Sequence, residues 1–370
     1  MPVIHNPHHE PHPLSAHTQP IPIPVVILNW NGLADTCRCL DHLIATEGVA
    51  WRAVVVDNGS DQPTDLETLQ AQYGNDARIK VQANPSNLGF AAGMNQVLQA
   101  LLTARSDQAH EPVSDYVALL NNDAFVEPTW LAALLECAQA TKAGAVASCM
   151  LRDDDPKKLD NAGHVFLNTG EVLPRGSQQS ADDFQQRMPV AGACAGACLL
   201  RLDMLEDIGL FDPFYTTGYE DAELGLRAML AGWPQVYEPK ARVRHKIGAS
   251  IDKIRDLNYA ITLQTNIHYA YFKLMPKGVI AWNLPWLLIK TLVLLLVPVL
   301  TARWRLARVH WLATWRSLGL LPDFIRARRQ PVQRRISRLA IVQQQEFFIK
   351  RYVGYFVRFV WRRQPTIFER

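Results

Sequence analysis

The sequence predicts an α/β fold: a mainly parallel sheet flanked by helices, followed by a mostly helical, basic C-terminal region. Three observations predict it. Short apolar, β-branched runs alternate with helical patterns from Val25 to Leu120, the order that gives right-handed strand–helix–strand crossovers. Three of these runs end directly in polar clusters, Asn29-Trp30-Asn31-Gly32, Asp57-Asn58-Gly59-Ser60 and Asn121-Asn122-Asp123. Charge then reverses: 19 Lys and Arg stand against 32 Asp and Glu up to Tyr269, and 19 against 3 beyond it. An acidic front and a basic rear point to a catalytic body joined to a segment that meets anions.

Residues 1–23 form a leader rich in proline and histidine, expected to be disordered because its prolines bar a packed element. It has no apolar stretch of signal-peptide type, and a metal-binding histidine tract is its other reading. The first strand is expected at Val25-Val26-Ile27-Leu28, short and apolar as a buried parallel strand should be. Helix follows over about Ala34–Ala45, then a second buried strand at Ala53–Val56. Helix near Thr64–Tyr73, strand at Arg78–Gln82, helix around Ala91–Thr103 and strand at Tyr116–Leu120 complete the alternation. Ligands of such sheets sit beyond the carboxyl ends of the strands, where the polar clusters fall. One cluster is ordinary turn chemistry; three at three strand ends mark a site.

Composition narrows the classes further. With 48% hydrophobic residues the chain has material for a sizeable core. The six cysteines lack a second pair at zinc-ligand spacing and read as buried, reduced thiols. Neither a GxGxxG fingerprint after the first strand nor a P-loop signature occurs, which removes the main support for dinucleotide oxidoreductases and P-loop enzymes.

Three positions carry chemistry. Asp123, at a strand end before a Glu-Pro turn, suits Mg²⁺ or Mn²⁺, which take few protein carboxylates alongside diphosphate oxygens; a helix cap near Pro128–Trp130 is the alternative. Glu220 and Asp221 open a helical run, where acids are common, and offer a general base for a hydroxyl proton. His245 is either an ordinary packed residue or a neutral imidazole ligand to the same ion.

In chain order, Val25 to Gly32, Val56-Asp57-Asn58-Gly59-Ser60, Asn87-Leu88-Gly89-Phe90-Ala91-Ala92-Gly93-Met94-Asn95, Leu119 to Asp123 and Gly218-Tyr219-Glu220-Asp221 form a pattern. It resembles the family 2 glycosyltransferases with the GT-A fold, especially their bacterial rhamnosyltransferase-like branch, over roughly residues 24–250. The resemblance implies a Rossmann-like GT-A catalytic domain over residues 24–270. It also implies inverting, metal-dependent transfer of a sugar from a nucleotide-diphosphate donor to an acceptor hydroxyl. The branch points to rhamnose from dTDP-rhamnose, and to a glycan or lipid-linked acceptor in cell-surface polysaccharide synthesis. Asp57 would then hydrogen-bond the nucleobase, and Asn29 and Asn31 would line the nucleotide pocket. Asn87, Gly89 and Asn95 would shape the loop beside the ribose and diphosphate. Asn122 and Asp123 would meet the donor at the DxD position, with Asp123 and His245 holding Mg²⁺ or Mn²⁺. Asp221, ahead of Glu220, would be the catalytic base.

The DxD position departs from the pattern: Asn121 replaces its first carboxylate, removing one anionic ligand. Single displacement needs one base, whereas a covalent retaining route wants an opposed nucleophile, and the sequence reveals none. A catalytically weak membrane scaffold that binds nucleotide sugar is the rival from another class, supported by the incomplete DxD motif. A nucleotidyltransferase would carry a Gly-rich basic loop after the first strand, which Asn29-Trp30-Asn31-Gly32 is not.

Residues 271–370 form the basic rear. Val279–Ala302 has the length to cross a bilayer. Asn283, Pro285, Lys290 and Pro298 interrupt it, and the 16 Lys and Arg after Ala302 resist translocation. The expectation is in-plane or re-entrant association, peripheral or monotopic, on the cytoplasmic side of the inner or plasma membrane. Trp282, Trp286, Trp304, Trp311 and Trp315 suit an interface. Phe348, Tyr352, Tyr355, Phe356 and Phe359 fall on one helical face, flanked by Lys350, Arg351, Arg358 and Arg362. That face suits an anionic membrane surface or packing on the catalytic body. No nucleic-acid-binding module is recognisable.

Overall fold

The structure, a computed structural model, describes residues 20–107, 112–246 and 256–355. The chain divides into two units. The first comprises Met1–His164, Pro174–Thr216 and Glu220–Ser250; the second comprises Val165–Leu173, Thr217–Tyr219 and Ile251–Arg370.

The first unit opens with the expected alternation: β1 (Ile23–Asn29), α1 (Leu33–Ile44), β2 (Trp51–Asp57), α2 (Pro63–Tyr73), β3 (Ile79–Ala83), α3 (Gly89–Ser106) and β4 (Tyr116–Asn121). The four strands are parallel, in the order β3-β2-β1-β4. Further along come β5 (Ala124–Val126), α4 (Trp130–Thr141), β6 (Ala145–Arg152), β7 (Leu159–Asn161), β10 (Met188–Pro189), β11 (Ala197–Arg201), α5 (Leu202–Ile208), α6 (Glu220–Leu230) and β12 (Gln235–His245); β8 (His164–Leu167) and β9 (Val172–Pro174), which fall between β7 and β10 in sequence, belong mostly to the second unit. Here the sheet becomes mixed. β11 runs antiparallel between β4 and β6, and β12 is parallel to β6.

Alternation of side chains along β1 explains the layering. Val25 and Ile27 pack with Leu40 and Leu43 of α1 and Trp130, Leu131 and Leu134 of α4. Val26 faces the other way, into a cluster with Met94, Val97 and Leu98 of α3 and Leu202 and Leu205 of α5. Helices therefore cover both faces, and the central strands are apolar throughout because neither face meets water. The chain runs outward from β1 through β2 to β3 and then returns to β4 on the other side of β1, so a crevice opens beyond their carboxyl ends.

The second unit contains α7 (Leu257–Leu274), α8 (Lys277–Leu300), α9 (Trp304–Gly319), α10 (Leu321–Ala327), α11 (Arg338–Gln344) and α12 (Ile349–Tyr355), with β13 (Gln345–Glu346) completing a small β13-β8-β9 sheet. α8 runs unbroken through Pro285 and Pro298. The residues expected to interrupt its apolar run, Asn283, Pro285, Lys290 and Pro298, all lie within this one helix. Each proline removes one helical hydrogen bond, but the polar side chains share one stripe and are satisfied there. Val279, Asn283, Lys290 and Pro298 are the buried positions of the helix. Asn283 Nδ2 donates to Tyr271 Oη and Gln345 Oε1, each at 3.0 Å. Lys290 Nζ donates to the Thr169 carbonyl at 3.0 Å and lies 2.9 Å from Glu171 Oε1. Burial alone would raise the Glu171 carboxyl, but Lys290 and hydrogen bonds from Thr169, Lys290 and Tyr352 hold it below its ordinary range.

The opposite face of α8 exposes Leu284, Leu288, Leu292, Leu296 and Leu300. Beyond its first turn this helix hides Lys290 and shows its leucines, the reverse of a water-facing amphipathic helix. By length and composition it could cross a membrane. Part of the expected aromatic face turns inward instead: Phe348 is buried beside Trp286, and Tyr352 Oη donates to Glu171 at 2.7 Å. Phe356, Phe359, Arg358 and Arg362 lie outside the described residues.

Replacing Lys290 by alanine leaves the Glu171 charge buried without its cation. Thermal unfolding in detergent should show a loss of about 3–5 kcal/mol. Lys290→Met combined with Glu171→Leu should recover most of it.

Candidate active site

The carboxyl ends of β1, β2 and β4 are tied together by Asn29, which is fully buried. Its Nδ2 donates to Asp57 Oδ1 at 2.7 Å. Its Oδ1 accepts from Thr36 Oγ1 at 2.8 Å, the Gly32 amide at 3.2 Å and Asn122 Nδ2 at 3.3 Å. Asn29 and Asn122 thus form the floor behind the crevice. Asn31, at φ 54°, fastens the loop after β2: its Nδ2 donates to Asp61 at 2.8 Å, and its Oδ1 accepts the Asp61 amide at 2.8 Å.

Asp57 sits in a cavity of about 650 Å³ lined by Trp30, Gly59, Ser60, Asn84, Pro85 and Asn87 among others. Ser60 Oγ donates to Asp57 Oδ1 at 2.6 Å, fixing the carboxylate. The far wall hangs on Asn58, which the sequence analysis assigned no role. Its Nδ2 donates to Asn87 Oδ1 at 3.0 Å, and its Oδ1 accepts from Asn84 Nδ2 at 2.9 Å. Asn87 also accepts the Gly89 amide at 2.8 Å, with Gly89 at φ 78°. Asn95 is committed elsewhere: both ends of its amide pair with the Phe211 backbone, at 2.8 and 3.1 Å. It shapes the site through the Phe211 turn rather than by pointing into the cavity.

The strand order assembles a second group. β6 pairs with β12 on one side and β7 on the other, and β5 pairs with the end of β12. These pairings bring together Asp123 before β5, Asp160 on β7 and His245 at the end of β12. His245 Nδ1 donates to Asp160 Oδ2 at 2.8 Å. His245 Nε2 lies 3.2 Å from Asp123 Oδ1, yet this buried nitrogen has no hydrogen-bond partner among the described residues. Burial pushes the imidazole down, but Asp123 and Asp160 outweigh it and raise the ring to about 10. Two carboxylates around one imidazole make a spot that favours cations. The donor set also fits a divalent ion: a carboxylate and an imidazole nitrogen face each other, and a further carboxylate fixes the imidazole from behind. Asp123 caps no helix, since α4 begins after Thr129.

Asp221, in the first turn of α6, is held by two backbone amides. Oδ1 accepts from Ala222 at 2.7 Å and Oδ2 from Ala195 at 3.1 Å. His164 Nε2 lies 3.8 Å from Asp221 Oδ2. Burial lowers the His164 ring, with Asp221 opposing, while burial and then Asp221 push the Cys194 thiol far up. One ligand atom from each of His164, Cys194 and Asp221 falls within 4.8 Å of the others. A thiol suits soft ions, whereas Mg²⁺ and Mn²⁺ take oxygen and imidazole donors, so Asp123 and His245 are the better match for those ions.

A carboxylate held by two amides, a cation-favouring pair and a cavity at the strand ends are the features to set beside known proteins. Residues 20–260 match the family described as glycosyltransferase like family 2. The chain belongs to this glycosyltransferase family.

Among curated proteins it is similar to an N-acetylglucosaminyl-diphospho-decaprenol L-rhamnosyltransferase of Mycobacterium tuberculosis, at 29% identity over 60% of this chain and 75% of that one. It also resembles the O-antigen biosynthesis protein RfbC of Myxococcus xanthus, at 29% identity over 68% of this chain and 19% of that one. Among solved structures, GalNAc-T7 with UDP, GalNAc and Mn²⁺ superposes with TM-score 0.50 at 14% identity, covering 72% of this chain and 55% of that one. TarS of S. aureus gives TM-score 0.50 at 14% identity, covering 84% of this chain and 50% of that one. The chain thus spans about half of each of these two structures, and the likeness shows a shared GT-A fold.

Within this glycosyltransferase, sequence reasoning missed Trp30, Asn58, Asp160, His164 and Cys194. Asp160 and His164 stand in the run Leu159-Asp160-Asn161-Ala162-Gly163-His164, which alternates like an ordinary strand and turn. Only strand pairing shows that they face His245 and Asp221. The cavity wall yields a direct test. Gly59 has φ +71°, and a Cβ there would lie 2.4 Å from the Ser86 carbonyl carbon. Gly59→Ala should cost at least about 1–2 kcal/mol from the left-handed backbone alone, read as a lower urea midpoint, because the Ser86 backbone must also move.

Proposed function

We propose that this glycosyltransferase transfers a sugar, with inversion, from a nucleotide-diphosphate donor to a hydroxyl of a lipid-linked glycan at a membrane surface, assisted by Mg²⁺ or Mn²⁺. The observation that carries this reading is the arrangement of Asp123 and Asp160 about His245. The similarity to the mycobacterial rhamnosyltransferase supports rhamnose as the sugar, dTDP-rhamnose as the donor and a polyprenyl-diphosphate-linked acceptor in cell-surface polysaccharide synthesis.

Asp57 and Trp30 would hold the nucleoside in the 650 Å³ cavity, with Asn87 and Gly89 shaping its wall. Asp123 and His245 would hold the metal ion, and Asp160 keeps His245 Nε2 turned toward it. An ion held there would supply positive charge for the departing diphosphate. Asp221, oriented by two amides, takes the proton of the acceptor hydroxyl. The hydroxyl oxygen forms its bond to the anomeric carbon as the bond from that carbon to the diphosphate oxygen breaks on the opposite face. The electron pair leaves with the nucleoside diphosphate. Holding both partners in line supplies much of the rate.

The apolar outer face of α8, and the exposed Trp282, Trp304, Trp311 and Trp315, support in-plane, monotopic attachment. The basic residues after Ala302 favour the cytoplasmic side and anionic lipid.

Two substitutions test the assignments. Asp221→Asn should lower kcat by about 10²–10⁴-fold while the donor-induced rise in melting temperature stays at the wild-type value; loss of donor binding together with activity contradicts its role as base. Asp160→Asn should weaken Mn²⁺ affinity by about 10–100-fold, measured by electron paramagnetic resonance titration, with the fold intact by circular dichroism.

A further inference from the structure

The second unit contains a cavity of about 300 Å³ whose lining is almost wholly apolar, between Ile289, Val293 and Val297 of α8 and Phe348, Ile349 and Val353 at the start of α12. It follows the last half of α8, and from Ile289 to Thr301 the helix rises about 18 Å. Arg303 and Leu306 line it where the chain turns into α9. Ile289, Val293, Ile349 and Val353 are also solvent-exposed, at 44%, 38%, 44% and 57%. The groove therefore opens onto the same surface as the exposed leucines of α8.

Two features say what it would hold. An apolar groove on a surface placed against lipid is complementary to a hydrocarbon chain arriving from the bilayer. Its α9 end is complementary to an anion. Arg303 lines the groove there, Arg305 and Arg308 follow, and residues 257–322 contain no Asp or Glu. Three of the last four carbonyls of α8, which would repel an anion, are occupied: the Thr301, Ala302 and Arg303 amides donate to the carbonyls of Val297, Val299 and Pro298. The next helix begins at Trp304 with its positive end at this point.

We propose that this groove binds the phosphate-proximal isoprenoid units of a polyprenyl-phosphate-linked acceptor, with Arg303 next to the phosphate. The proposal rests on the lipid-linked acceptor of the reading above and adds a site for its tail. The groove makes attachment selective: the outer face of α8 takes any lipid, whereas the groove takes the chain that carries the acceptor.

The test uses the full chain in detergent and a polyprenyl phosphate carrying a photoreactive diazirine, with cross-linked peptides mapped by mass spectrometry. Labelling is expected within residues 289–306 and 348–353. Unlabelled polyprenyl phosphate should compete, and phosphatidylglycerol at the same concentration should not. Val293→Trp, which fills the groove, should cut labelling at least about ten-fold, the loss expected when roughly two methylene groups are no longer buried. Arg303→Gln should weaken competition by polyprenyl phosphate but leave competition by the uncharged polyprenol unchanged. A circular dichroism melt matching wild type shows that each variant is folded, and Ile349→Trp fills the groove from its other wall if Val293→Trp is not.

Labelling spread along the outer face of α8, unaffected by either tryptophan, or competed equally by phosphatidylglycerol, overturns the groove. A donor thermal-shift screen on the same preparation separates the two readings. Specific groove labelling without any nucleotide-sugar response defeats the transferase reading and leaves the groove; a donor response with diffuse labelling does the reverse.

Discussion

The buried amide of Asn29 is the junction on which the catalytic unit depends. A buried polar side chain has to find partners or cost the fold dearly, and Asn29 finds them on three segments: Asp57 at the end of β2, Asn122 after β4, and Thr36 and Gly32 at the start of α1. These bonds set where the strands stop and how the chain leaves them. The Asp57 carboxylate is fixed from behind by the same amide, and Asp123 is placed by the residue next to it. A polar network of this kind is stable only when each member is satisfied, so the crevice has one arrangement before any ligand arrives.

From that junction the charges of the site follow. Asp123, Asp160 and His245 come from three separated parts of the chain, and the pairings of β6 with β7 and β12 and of β5 with β12 unite them. Asp221 belongs to α6, and its orientation comes from backbone amides rather than from another side chain. The unit thus keeps the cation-favouring pair and the Asp221 carboxylate on different elements.

Much of this was legible in the sequence. The strand ends at Asn29, Asp57 and Asn121 were marked by apolar runs meeting polar clusters, and a parallel strand buried on both faces leaves few other readings of Val25–Leu28. The family resemblance, carried by motifs in order, agreed with the profile match over residues 20–260. The antiparallel β11 was not legible, because its short apolar run has the same composition as a parallel neighbour. Nor were Asp160 and His164, whose partners lie far away in sequence and are set by strand register. Asn29 and Asn122 carried a recognisable motif, but their burial behind the cavity is a property of packing that the motif does not contain. In α8 the polar Asn283 and Lys290 interrupt the apolar run, and the sequence does not show where they turn. Glu171 and Thr169 make Lys290 an internal tie and leave the leucines of the opposite face exposed.

The most direct test of the account is to locate the ion. Crystals grown with MnCl₂ and a nucleoside diphosphate, measured at the manganese edge, should give an anomalous peak within coordination distance of an Asp123 carboxylate oxygen and His245 Nε2, with Asp160 bonded to His245 Nδ1 behind it. A nucleotide bound in the cavity beside Asp57 with manganese instead among His164, Cys194 and Asp221, or with no manganese at all, would contradict it.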